Sequence, residues 1–191
     1  FLDLSDNIFT SYVQYYYLSN NDKVLINYVR STVIDTSKYM TNELALAYSR
    51  IAELFAENDL IRDAEFYYKK SIRLMPFVIE YKIKYGSFLF NNNLINKAAD
   101  VYIDVLSLNP MVKEAYLNLG IINMINNKYS DAEDNFHKSI ALDPDYILAY
   151  ENLVLLYDKR QDLKNTRLYL QKILDINPEH RAVLMLDDVV D

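Results

Sequence analysis

The sequence predicts an all-α fold, an α-α superhelix of antiparallel helical hairpins with a 34-residue period. Three observations predict it. The chain has four prolines, Pro76, Pro110, Pro144 and Pro178, and each stands 34 positions from the next. Its two glycines, Gly86 and Gly120, are also 34 apart. Between these markers, small and large apolar residues recur at the same interval. A fixed period of this size marks stacked supersecondary units rather than one closed core.

Along the chain, residues 1–44 are helical by pattern but out of register with the rest. Leu25, Tyr28, Val29, Thr32 and Val33 form an apolar stripe at helical spacing. Ile8, Tyr12, Tyr15 and Tyr16 form another, with Ser19-Asn20-Asn21-Asp22 as the turn between them. We read this stretch as a degenerate helical pair, an N-terminal cap with extra residues near Thr36–Asn42. The run Tyr15-Tyr16-Tyr17 is assigned to packing rather than to a contact surface.

The periodic part follows. One column of small residues reads Ala64, Ala98, Ala132 and Thr166, and four positions later a large column reads Tyr68, Tyr102, Phe136 and Leu170. A second small column carries Ala52, Gly86, Gly120 and Val154, preceded by Ile51, Tyr85, Leu119 and Leu153. Small residues let two antiparallel helices approach, and the large residue one turn on fills the adjoining gap. The clusters Glu57-Asn58-Asp59, Asn91-Asn92-Asn93, Asn126-Asn127 and Gln161-Asp162 supply turns between helices. Asn109-Pro110, Asp143-Pro144 and Asn177-Pro178 read as an N-cap residue followed by a proline in the first helical turn. Asp143 and Asp145, beside Pro144, read as helix-start residues.

The stretch Tyr116-x-x-Leu119-Gly120-x-x-Asn123, then Ala132-x-x-x-Phe136, then Pro144 resembles the tetratricopeptide repeat pattern, with Tyr116 in place of the usual Trp and Asn123 in place of the usual Tyr. On that register the four units are 45–78, 79–112, 113–146 and 147–180. Residues 181–191 continue as a single C-terminal capping helix, with Val183, Leu184 and Leu186 covering the last hairpin. Asp187, Asp188 and Asp191 then solvate its end. One unit alone buries too little apolar surface to fold, so the repeats depend on stacking.

Composition removes several function classes. The chain lacks cysteine, which excludes disulfides, thiolate metal sites and a thiol nucleophile. No run of 18 apolar residues is present, so no direct membrane insertion is expected. The net charge of −7 argues against nucleic acid, which needs a clustered positive surface. The one basic cluster, Lys69, Lys70, Arg73, Lys82 and Lys84, reads as a solvated face. His137 and His180 do not stand at metal-ligand spacing, and there is no glycine-rich phosphate loop. No enzyme activity, cofactor or metal is expected. The chain starts at Phe1 without a recognisable leader, so it reads as a soluble piece of a longer or processed protein.

The resemblance implies a curved trough lined by the first helix of each repeat. Its lining would be Ile83, Ser87 and Phe90 in the second repeat; Leu117, Asn118, Ile121 and Met124 in the third; and Leu148, Glu151, Asn152 and Leu155 in the fourth. The first repeat offers Ser49, Arg50 and Glu53. The helix near 113–126 is apolar almost all round, which calls for burial on both faces. This suits either a groove that grips a partner segment or tight packing between first helices. The family's carboxylate clamp for chaperone tails would fall on Ser49, Glu53, Lys84, Glu114 and Asn118, or one repeat on at Ile83, Ser87, Asn118, Leu148 and Asn152. Only Asn118 fits, so chaperone C-terminal tails are not the expected ligand. The expected function is a protein–protein interaction scaffold. The alternative is a structural, self-associating or regulatory module that packs against the rest of a larger parent protein.

Overall fold

The computed structural model describes residues 26–27 and 41–181. The expectations for the N-terminal tyrosine run, for most of the N-terminal cap and for the C-terminal capping helix lie outside these residues. The described residues form eight α-helices and no strand: α1 (Thr41–Glu57), α2 (Ile61–Leu74), α3 (Ile79–Asn91), α4 (Ile95–Leu108), α5 (Lys113–Ile125), α6 (Tyr129–Leu142), α7 (Ile147–Lys159) and α8 (Leu163–Ile176). The fold is all-α, and the chain divides into two compact units, residues 1–94 and 95–191.

The turn inside each helix pair has one construction. Asp59, Asn93, Asn127 and Gln161 all adopt a left-handed backbone, with φ of 58°, 59°, 58° and 58°. The amide of the following residue reaches five residues back: Leu60 to the Phe55 carbonyl, Leu94 to Leu89, Lys128 to Asn123 and Asp162 to Tyr157, at 2.8–2.9 Å. This is the six-to-one bond of a Schellman ending, which satisfies carbonyls that the helix end leaves open. Asp59, Asn93 and Asn127 are of the residue types that bear positive φ most readily, and Gln161 is the exception.

The prolines correct one expectation. Helices α5 and α7 begin at Lys113 and Ile147, so Pro110 and Pro144 stand three residues ahead of them rather than in their first turn. Asp143 and Asn177 take extended backbones, φ −145° and −136°, the conformation a following proline imposes. The Asp143 side chain does not cap α7. Asn109 Oδ1 accepts from the Met111 amide at 2.9 Å, Asp143 Oδ1 from Asp145 at 3.1 Å and Asn177 Oδ1 from Glu179 at 3.2 Å. Each is an Asx turn closing the end of the preceding helix.

In the first unit, α1 and α2 pack through Ile51, Ala52, Phe55 and Ala64, all fully buried. The Tyr67 ring stacks on Phe55 at 5.5 Å, and Tyr68 carries the packing on to Tyr85 and Phe88 of α3. In the second unit, a Cβ on Gly120 of α5 would lie 2.4 Å from Cε1 of Phe136 on α6, so that glycine is what lets the two helices approach. Ser139 Oγ donates to the Lys113 carbonyl at 3.0 Å across the same pair. Helices α7 and α8 close around Tyr150, Val154, Leu170 and Ile173.

Candidate protein-binding surface

In the second unit the first helices of the hairpins, α5 and α7, touch each other as well as their own partners. Leu117 is only 6% exposed and belongs to one cluster with Ala149, Leu153 and Leu156 of α7. Ile121 and Met124 are half-buried against that cluster. Leu117 is therefore placed in the core between α5 and α7. Leu119, expected in the core column, is only half-buried.

The neighbouring side chains of α7 are different. Leu148 and Leu155 are 49% and 52% exposed, seven residues apart on one face, with Asn152 between them. Ile125, at the end of α5, is 50% exposed and was not singled out by the sequence pattern. The amides of Asn118 and Asn152 each donate one hydrogen to the carbonyl four residues back, at 2.8 and 2.7 Å. Among the described residues, no other group engages the second N–H or the oxygen of either amide. Glu151 is tied by Arg181 at 3.1 Å and lies 3.5 Å from His180 Nε2. Its charge is largely committed within the unit.

Two side chains of one polar arrangement hold α6 to α7. The Tyr157 hydroxyl donates to Glu133, and Arg160 Nη1 lies 2.7 Å from the same carboxylate. Burial pushes the Glu133 carboxyl up, but the Tyr157 and Arg160 bonds outweigh it and hold the group below the ordinary carboxylate range. Burial and the bond to Glu133 together push the Tyr157 hydroxyl far above the ordinary tyrosine value.

In the first unit, Ile83 and Ser87 line a cleft of about 500 Å³, and Phe90 is half-buried nearby in sequence. Ser49, expected among the open residues, is fully buried. The basic cluster is not a continuous solvated face. Lys84 Nζ lies 2.6 Å from Glu53 and 3.2 Å from Glu80, Lys69 pairs with Glu65, and Lys70 sits over the rings of Phe66, Tyr48 and Tyr67 at 4.6–5.8 Å. Among the described residues no three carboxylate or imidazole groups gather as a metal site, and no helix is long and apolar enough to cross a membrane.

Residues 113–146, the α5–α6 pair, match the family model described as tetratricopeptide repeat. The chain carries a tetratricopeptide repeat. No curated protein matches it by sequence. Solved structures of similar fold include residues 41 to the end of MamA from Desulfovibrio magneticus RS-1, with 15% identity over 95% of this chain and 99% of that one, at a TM-score of 0.75. PilW, a type IV pilus biogenesis factor, has 17% identity over 98% and 87%, at a TM-score of 0.73. YrrB, whose structure is described as a tetratricopeptide protein with an unusual peptide-binding site, has 18% identity over 94% and 90%, at 0.70. At these identities the likeness is one of fold. The exposed stripe of α7 lies outside the buried columns.

Proposed function

We propose that the chain is a protein-interaction scaffold that binds a segment of another protein, and that it carries out no catalysis. The observation that carries this is the stripe Leu148–Asn152–Leu155, where two exposed leucines flank an amide with an open donor and acceptor. The leucines offer apolar area, and Asn152 and Asn118 can bond the backbone of an incoming segment. An extended segment presents such unpaired backbone groups, whereas a helix has already used its own. Ile121, Met124 and Glu151 are proposed to contribute to this surface; Leu117 belongs to the core cluster against which Ile121 and Met124 pack. Ile83, Ser87 and Phe90 supply contacts in the first unit.

The charge arrangement supports a ligand other than an acidic chaperone tail. Ser49 is buried, Lys84 is engaged by two glutamates, and Glu114 stands where a cation would be needed. YrrB's described peptide-binding site is consistent with binding of this class by the fold.

The test is selection of a random-peptide phage library on the full chain, followed by affinity measurement of the selected peptides. Leu155→Glu is expected to weaken them at least ten-fold with the helical circular dichroism unchanged, because Leu155 supports no core. Peptides that keep wild-type affinity for both Leu148→Glu and Leu155→Glu would overturn the assignment. Leu117→Glu is unsuitable, since it would bury a charge.

A further inference from the structure

We propose that the cleft lined by α1, α2 and α3 in the first unit is a recognition site for a basic side chain, lysine or arginine, carried by a partner polypeptide. This rests on the reading that the chain binds a polypeptide, but it uses residues apart from the Leu148–Leu155 stripe.

The apolar part of the lining comes from Ala56, Ile83, Phe88 and Tyr68, and the charged part from Glu53, Glu57 and Lys84. The charges decide which ligand fits. Lys84 is answered twice, by Glu53 at 2.6 Å and by Glu80 at 3.2 Å. Burial works against its charge, but the two glutamates outweigh it and hold the amine above the ordinary lysine value. The Lys84 charge is thus committed inside the unit. Glu57 is exposed at the end of α1 and has no ion pair among the described residues. The uncompensated charge facing the cleft is negative.

Lysine and arginine combine an apolar stem with a cationic head. The stem suits Ile83, Ala56 and the aromatic rings, while the head meets the Glu57 carboxylate, with Ser87 and Asn91 in the same lining. An acidic side chain would meet repulsion from Glu57 and would have to displace Glu53 from Lys84. The net charge of −7 favours encounter with the same class of partner.

The experiment uses the full chain, ¹⁵N-labelled, titrated with the blocked tripeptide acetyl-Ala-Arg-Ala-amide and separately with its glutamate counterpart. The arginine probe is expected to shift the amide signals of Glu57, Ser87 and Asn91, and the glutamate probe is not. Glu57→Gln should weaken the arginine probe about two- to five-fold, as removal of an exposed charge pair does. Ser87→Leu, which fills the cleft, should remove the shifts while circular dichroism stays helical. Equal binding of the glutamate probe, shifts confined to other residues, or wild-type affinity in Glu57→Gln would overturn the proposal. Leu155→Glu should leave the arginine shifts in place. A variant set in which Leu155→Glu loses the library peptides while Glu57→Gln changes nothing overturns this site alone.

Discussion

Gly120 and Phe136 show how a single position carries the repeat. The glycine needs no special backbone angle; it is there because the Phe136 ring occupies the space of its missing Cβ, with a nearest approach of 2.4 Å. Gly120→Ala would gain about 1 kcal/mol in helix propensity, yet it must push a buried ring out of place at a cost of roughly 1–3 kcal/mol. The clash exceeds the propensity gain, so a lower melting temperature is expected in thermal denaturation. Phe136→Leu in the same chain should make the alanine less costly, because the branched side chain can withdraw where the ring cannot. A Gly120→Ala variant as stable as the parent would show that α5 and α6 are not held at this distance. This pair was legible in the sequence as two columns, each repeating every 34 residues. Leu117 was legible as apolar, but its burial depends on α7, whose Ala149, Leu153 and Leu156 share its cluster.

At the level of helices, the joint between α6 and α7 is polar at one end, where Glu133 receives both Tyr157 and Arg160. The carboxyl of Glu133 is held below its ordinary value of 4.5 by those two partners, although burial opposes them. A carboxyl lowered on folding contributes stability that is complete above its unfolded value and is lost as pH falls through the folded one. The stability gap between the parent chain and Glu133→Gln should therefore be widest near neutral pH and shrink as the solution is acidified below about 4.5. Melting temperatures of both chains between pH 7 and pH 3 check this. A gap independent of pH would mean that the charge of Glu133 is not what Arg160 and Tyr157 stabilise. The helix boundaries themselves show where sequence reasoning stops. Three of the four turns were readable because Asn and Asp bear positive φ, Gln161 being the exception. The prolines read both as stopping one helix and as opening the next, and Pro110 and Pro144 stand three residues ahead of α5 and α7 rather than in their first turns. An Asx–Pro pair closes a helix and opens one with the same residues, and only the backbone distinguishes the two.

For the molecule as a whole, 27 acidic against 20 basic residues set a negative field that opposes phosphate backbones. No retardation of a single-stranded RNA oligomer is expected from the full chain, at low salt or high, in a gel-shift assay. Salt-sensitive binding would contradict the assignment to polypeptide partners. The sequence by itself determined the all-α class, the 34-residue period, the turn positions and, Leu119 excepted, the buried columns, because each repeat imposes the same packing on the same columns. What it left undecided was which residues outside those columns are exposed. Leu117 and Leu155 are both leucines outside the columns on a first helix, yet one is covered by α7 and the other half open. Lys84 and Lys69 stand in one basic cluster, yet Lys84 lies between two glutamates and lines a cleft. Exposure and ion pairing depend on what the adjacent helix brings within a few ångströms, and tertiary packing alone sets that distance.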